Sequence, residues 1–256
     1  MASQLFDLTG KVALITGGHR GIGYATAEEL ACAGARVAIC SNDAAGIASA
    51  EARLRADGHD VRGFACDVTV NADLDALVAA TRAAFGRIDI LVCNAGIAPH
   101  FGPLATATDA EYDATMRVNL YGAMQLANRV IPEMAARRDG AVVFTSSIAG
   151  LRGNGKLGIY ALSKAAVAQL ARNLAVEHGP DNVRVNAISP GLTRTEFATP
   201  ILGNEDGLRA RLLKTPLRRY AEPGEIAGAV VFLASAAGAF VTGQNIVIDG
   251  GTIVAD

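Results

Sequence analysis

Short apolar runs recur along the chain: KVALIT (residues 11–16), RVAIC (36–40), VRGFAC (61–66), IDILVC (88–93), AVVFTS (141–146), VRVNAIS (183–189) and NIVID (245–249). Each is apolar nearly throughout instead of alternating, which is how strands buried on both faces read. Longer stretches with helical spacing separate them. In NADLDALVAATRAAFG (71–86), Leu74, Leu77, Val78, Thr81 and Phe85 recur at threes and fours. Strand–helix–strand alternation predicts an α/β fold with helices on both faces of a parallel sheet. Right-handed crossovers then favour a Rossmann-type doubly wound sheet of about seven strands. No linker, low-complexity segment or composition break interrupts the pattern, so one domain over residues 1–256 is expected. Such a sheet binds ligands beyond the carboxyl ends of its strands. The residues just after each run are therefore the candidates for chemistry.

Composition narrows the function classes. Hydrophobic residues make up 51% and charged residues 19% of the 256, which excludes a disordered chain and implies a substantial core. A net charge of −2 and the lack of a concentrated Lys/Arg stretch argue against a nucleic-acid surface. RLRADGHDVR (53–62) mixes both signs and reads as a solvated helix end and turn. Cys32, Cys40, Cys66 and Cys93 form no CxxC pair and read as buried, reduced thiols. The four histidines are scattered without metal-ligand spacing, so no metal site is indicated. No basic segment followed by an apolar one opens the chain, and a cytoplasmic protein is expected. The uncharged stretch from Ile226 to Ile248 is long enough to suggest a membrane span. Gly238, Thr242, Gly243, Gln244 and Asn245 break it, however, so a buried helix, a loop and a core strand are expected instead.

The first run leads into TGGHRGIG (16–23) and then a helical stretch. A glycine-rich turn between a first strand and a helix offers backbone N–H groups and a positive dipole end to an anion. Gly17, Gly21 and Gly23, with Arg20 and Ile22 between them, suit the close approach of a dinucleotide pyrophosphate. The second run ends at Ser41-Asn42-Asp43. A neutral Ser41 at the strand tip leaves no carboxylate to repel a 2′-phosphate, and Arg20 can pair with one, so NADP(H) is favoured over NAD(H). Asp43 lies where an acid can start the next helix. Asp67 and Val68 follow the third run, where a carboxylate can accept from the adenine amine and an aliphatic side chain can pack on the ring; Asp67 reads equally as a turn or cap residue. After the fourth run, the small residues Asn94, Ala95 and Gly96 let backbone approach the cofactor ribose.

TGGHRGIG, CNAG (93–96), Asn119, Ser147, YALSK (160–164) and SPG (189–191) occur in the order found in the short-chain dehydrogenase/reductase family. The chain resembles the short single-domain branch of that family from about Leu8 to Gly251. The resemblance implies a homo-oligomeric oxidoreductase, dimer or tetramer, that interconverts ketones and secondary alcohols with NAD(H) or NADP(H). It places a catalytic tetrad at Asn119, Ser147, Tyr160 and Lys164. It also selects Ser147 over its chemically equal neighbour Ser146, and makes Asn119 the holder of a water linking Lys164 to solvent. Without the resemblance, Asn119 would read as a polar residue that bends a helix. Cys93, where the family often has Asn, is a departure at a strand end.

Ketone reduction needs a hydride at carbon and a proton at oxygen. Tyr160 and Lys164 stand at i, i+4 on one helix face. A nearby ammonium and a positively charged nicotinamide both favour phenolate over phenol. Lowering the tyrosine pKa by roughly 3 units from about 10 takes about 4 kcal/mol. Ser147 can bond the substrate oxygen as charge develops there. By resemblance, Lys164 also holds the nicotinamide ribose, Pro190 and Gly191 turn the chain over the nicotinamide, and Leu192 and Thr193 touch its carboxamide. A small substrate lid is expected around residues 192–216, its segment from Thr195 to Pro216 carrying Phe197, Ile201, Leu202, Leu208 and Leu212 over a partly apolar pocket. Arg152, Asn154 and His100 border the expected cleft and read as loop or interface residues. Two other functions stay open: a catalytically silent dinucleotide sensor or scaffold, and an epimerase or dehydratase of the longer related branch.

Overall fold

The computed structural model describes residues 4–255. Its elements run Val12–Thr16 (β1), Gly21–Cys32 (α1), Arg36–Ser41 (β2), Ala44–Ala56 (α2), Val61–Ala65 (β3), Asn71–Phe85 (α3), Ile90–Cys93 (β4) and Asp109–Met116 (α4). They continue through Ala123–Arg137 (α5), Gly140–Thr145 (β5), Gly158–His178 (α6), Val183–Pro190 (β6), Thr199–Leu202 (α7), Glu205–Leu213 (α8), Pro223–Ala234 (α9) and Asn245–Ile248 (β7). The strands form one parallel sheet in the order β3-β2-β1-β4-β5-β6-β7. The order reverses between β1 and β4, which fixes where a crevice opens at the carboxyl ends.

The inner strands each serve two cores, whereas the edge strand β7, expected as a core strand, is only half-buried and packs Ile246 and Ile248 on one face. Along β1, Val12 and Leu14 join Leu74, Leu126, Val130 and Val167 on one face. Ala13 and Ile15 join Leu30, Ile47, Ile226 and Val230 on the other. All of these side chains are buried. Strict alternation between two apolar faces is why the strand sequences carry no polar stripe. The uncharged stretch near the C-terminus divides between α9, a loop and β7, and no described helix is long and apolar enough to cross a membrane.

Two details depart from the sequence expectation. The run IDILVC enters the sheet only at Ile90, because Asp89 turns inward as an acceptor: Val12 N and Arg87 Nε each donate to its Oδ2 at 2.9 Å. Cys32 is exposed at the end of α1, whereas Cys40, Cys66 and Cys93 are buried free thiols.

The switch between β1 and β4 is braced by Thr16 and Asn94. Thr16 Oγ1 accepts from Asn94 N and Ala95 N at 3.0 Å, and Asn94 Nδ2 donates to Thr16 O at 3.1 Å. Helix α1 packs against this brace through Gly23, where a Cβ would fall 2.2 Å from Gly17 O and 2.5 Å from Asn94 Nδ2. Neither neighbour is free to yield. Gly23→Ala is therefore expected to destabilise the fold by about 1–3 kcal/mol and to weaken dinucleotide binding; urea unfolding and a cofactor titration read both effects.

Candidate active site

The loop from β1 to α1 is built to receive an anion. Gly17 adopts φ 67, and a Cβ there would come within 3.1 Å of Ala95 Cα. Arg20, the N-cap of α1, makes no side-chain cap bond. The helix therefore begins with backbone donors that no side chain satisfies, beside Gly21 and Ile22 on the wall of a cleft of about 870 Å³. Of the residues expected to hold a dinucleotide, Gly17, Arg20, Gly21, Ile22, Ser41, Asn42, Asp67, Val68, Asn94, Ala95 and Gly96 line this cleft. Uncapped donors, a cradle that a Cβ would fill and a groove spanning the β1–β4 switch together fit a dinucleotide. Gly23, Pro190, Gly191, Leu192 and Thr193 do not line it. Gly23 acts from behind, as packing. Thr193 is buried, and Gly191 sits where a Cβ would meet Asp249 Cα at 2.7 Å.

At the tip of β2, Ser41 Oγ accepts from Asp43 N at 3.1 Å, and Asp43 Oδ1 accepts from Gly46 N at 2.9 Å as the cap of α2. The acid that follows the tip of β2 is thus committed to a helix start. Arg20 points across the cleft to Glu196, which follows β6, and forms an ion pair with it. Nothing local to Arg20 in the sequence points to this partner, 176 positions away. His19, also on the wall, was not anticipated; its Nδ1 is buried without a protein partner, and burial together with the Arg20 charge pushes its pKa down. Asp67 Oδ1 accepts from Thr69 N and Thr69 Oγ1 at 2.9 and 2.8 Å, so the carboxylate shapes its own turn while lining the cleft.

The other end of the cleft holds Tyr160 and Lys164. The preceding serines divide their work. Ser146 is buried and donates from Oγ to Lys164 O at 2.7 Å, which locks β5 to α6. Ser147 is half-buried, accepts from Ala149 N at 3.1 Å and lies close enough to the Tyr160 phenol to pull its pKa down. Only Ser147 is therefore free to share a hydrogen bond with a group held at the phenol. Lys164 is 3% exposed and donates from Nζ to Thr145 O at 2.7 Å. Gly96 makes room for it: a Cβ there would lie 3.2 Å from Nζ and 3.4 Å from Asn119 Oδ1.

Asn119 lies in a π-helical turn, Arg117–Gly122, set between α4 and α5. Such bulges widen a helix locally and are frequent at functional sites. Its side chain pins the loop after β4, with Oδ1 accepting from Ile97 N at 2.8 Å and Nδ2 donating to Ile97 O at 3.0 Å. Nδ2 also donates to Ser163 Oγ at 2.9 Å. The expected helix-disturbing role and a positioning role thus fall on one residue. The bordering residues take loop roles: His100 is buried with Nε2 3.0 Å from Thr106 Oγ1, Asn154 Oδ1 accepts from Lys156 N and Leu157 N at 3.0 Å, and Arg152 is exposed.

The electrostatics correct one sequence expectation. Burial pushes the Tyr160 phenol up to about 12, against a lowering pull from the Ser147 hydroxyl. Lys164 is itself pushed down to about 8 by burial. Its Nζ is 5.6 Å from the Tyr160 ring centroid and is committed to a carbonyl, so the lysine alone does not bring the phenol towards neutrality. Between about pH 8 and 10.5 the unfolded chain binds a proton at Lys164 that the folded chain lacks, so the Lys164 contribution to stability rises with pH across that window, against the opposite contributions of the buried Cys93 thiol and Tyr160 phenol. Lys164→Met should remove on the order of 2–3 kcal/mol of this rise. Denaturant melts of parent and variant at both ends of the window check it.

Comparison with known proteins agrees with this geometry. A family model described as enoyl-(acyl carrier protein) reductase matches residues 17–252. The chain is 38% identical over 248 residues to dehydrogenase/reductase SDR family member 4 of Bos taurus, covering 96% of this chain and 88% of that one. Among solved structures, it matches a gluconate 5-dehydrogenase from Burkholderia cenocepacia J2315, in complex with NADP and tartrate, at a TM-score of 0.94 with 34% identity over 99% of each chain. It matches levodione reductase at a TM-score of 0.92 with 35% identity, over 97% of this chain and 99% of that one. With the doubly wound sheet, the glycine cradle and the Ser–Tyr–Lys corner already in place, these matches show that the chain belongs to the short-chain dehydrogenase/reductase family of NAD(P)-dependent oxidoreductases.

Proposed function

We propose that the protein interconverts a ketone and a secondary alcohol, with Tyr160 as general acid/base. The observation that carries this reading is the Tyr160 phenol, within the influence of the Ser147 hydroxyl, on a cleft that also holds Lys164 and an uncapped glycine loop. When bound, the cofactor supplies or accepts the hydride at the substrate carbon. The chain's own part is to deliver the proton and hold the oxygen. A phenol with a raised pKa is protonated at neutral pH, ready to donate to a substrate oxygen that gains charge. The Ser147 hydroxyl stabilises the same oxygen. In the oxidative direction the phenol must first lose its proton, and a positive charge brought by the oxidised cofactor favours that loss. Asn119 acts through Ile97 and Ser163 to keep the loop and α6 in register.

Gly17, Gly21 and Ile22 would hold the pyrophosphate, Asp67 and Val68 the adenine, and Asn94, Ala95, Gly96 and Lys164 the nicotinamide ribose. Pro190 to Thr193 would flank the nicotinamide from outside the cleft wall. Ser41 and Asn42 leave the tip of β2 itself without a carboxylate aimed at the ribose, and Arg20 stands beside it, which favours NADP(H) once the Glu196 pair opens; the similar gluconate 5-dehydrogenase was solved with NADP. The helical excursion from Glu196 to Leu213 would serve as lid; Leu192 and Arg194 join the backbone of Ala221 at 2.9 Å in each direction and hinge it. Assembly into dimers or tetramers is supported by exposed apolar side chains, with Leu162 and Val176 on α6 and a fully exposed Phe240.

Tyr160→Phe is expected to lower turnover by about 10²–10⁴ while leaving the NADPH dissociation constant unchanged; full activity would sink the mechanism. Glu196→Gln frees Arg20 from its ion pair and should raise kcat/KM for NADPH over NADH by about fivefold, read by steady-state kinetics with both cofactors.

A further inference from the structure

The substrate end of the cleft differs in kind from the cofactor end. Beyond Tyr160 its wall comes from three segments: Ile97, Pro99 and Phe101 after β4, Leu157 before α6, and Phe197 and Ile201 from the excursion after β6. None of these side chains carries a hydrogen-bonding group. Phe197 stands against the phenol itself, with ring centroids 5.5 Å apart and planes tilted by 40°. Phe101 and Phe197 are 55% and 51% exposed, although they line a concavity. Apolar surface gathered in a cleft, open to water and rimmed by polar groups, marks a ligand site.

The wall is also held in place. Asn119 fixes Ile97, and Gly102 N donates to Lys156 O at 2.9 Å, tying the Phe101 loop to the Leu157 loop. Arg152 is exposed outside this wall, and the Arg and Lys side chains that line the cleft are already committed. Lys164 Nζ is bonded to Thr145 O, Arg20 is paired with Glu196, and Lys156 Nζ lies 5.5 Å from the centroid of the Phe101 ring. The excursion contributes one charged side chain to the wall, the carboxylate of Glu196.

Resting on the reading of Tyr160 as general acid/base, we propose that the substrate is a ketone bearing an apolar ring, received between Phe197 and Phe101, and that polyhydroxylated keto acids are rejected. Each hydroxyl of such an acid would lose water against side chains that offer no partner. Its carboxylate would also meet Glu196 with no uncommitted cation lining that end of the cleft. Phe197 is then a specificity-determining residue. Its ring sits on the acid/base phenol, so it sets both where a ring can lie and how dry the carbonyl becomes.

The test compares acetophenone and cyclohexanone with 5-keto-D-gluconate, each with NADPH and NADH, in the parent and in Phe197→Ala, Phe197→Leu and Tyr160→Phe. At least one ring ketone should exceed the keto acid in kcat/KM by about 10²-fold or more. Phe197→Ala should raise KM for the ring ketone about tenfold with a smaller change in kcat, and Phe197→Leu should recover part of the loss. An unchanged NADPH dissociation constant in both Phe197 variants shows that they are folded. Equal or better use of the keto acid, or an unchanged KM in Phe197→Ala, overturns the substrate class while leaving the Tyr160 mechanism intact. If Tyr160→Phe turns over a ketone as well as the parent does, the mechanism falls and the substrate class with it; if the parent turns over neither ring ketone, the substrate class falls alone.

Discussion

The site depends on burying an ammonium. Lys164 sits almost without solvent between α6 and β5, held by the carbonyl of Thr145, while Ser146 takes the carbonyl of Lys164 itself. These two bonds clamp α6 to the end of β5 and set the depth at which Tyr160, one turn earlier, enters the cleft. Burial then acts on both groups in opposite directions, raising the phenol to about 12 and lowering the lysine to about 8. Desolvation disfavours the charged form of each. The pair is thus neutral phenol beside weakened ammonium, and additional positive charge in the cleft is what moves the phenol towards release of its proton.

The sheet supplies the frame for this clamp. Reversal of strand order between β1 and β4 opens the crevice, and Thr16 and Asn94 hold its two sides together. The glycine loop and the Lys164 corner belong to different halves of the sheet, and Asn94, Ala95 and Gly96 lie between them on the cleft wall. Small residues at Gly17 and Gly96 keep that passage open where a Cβ would press on Ala95 or on Lys164 Nζ. Across the mouth, Glu196 reaches Arg20 and joins the excursion after β6 to the cofactor loop. A single ion pair thereby links the segment that faces the substrate to a residue placed to recognise the cofactor.

Much of this was legible in the sequence because it follows local rules. Apolar runs without a polar stripe read as doubly buried strands, and seven such runs became the seven strands of the sheet. The glycine loop and YALSK carry their geometry in their spacing. What the sequence did not disclose depends on contacts between distant segments. The Arg20–Glu196 pair joins residues 176 positions apart. Ser146 and Ser147 are chemically alike, and only the packing of α6 assigns one to the Lys164 carbonyl and the other to the phenol. Phe101 and Leu157 look like stray apolar residues in polar loops until a backbone bond between Gly102 and Lys156 sets their loops side by side. In the protein alone the Tyr160 phenol is raised, because loss of solvent there meets no opposing pull from Lys164, and proximity along one helix does not disclose this.

The decisive measurement is a direct titration of the Tyr160 phenol, from the ultraviolet phenolate absorbance of the parent minus that of Tyr160→Phe, with and without oxidised cofactor. The expected result is ionisation near 12 for the protein alone and a clear fall when oxidised cofactor is added. Ionisation near 10 or below without cofactor, or a value that does not move on cofactor addition, would contradict a phenol held neutral by burial and released by added positive charge.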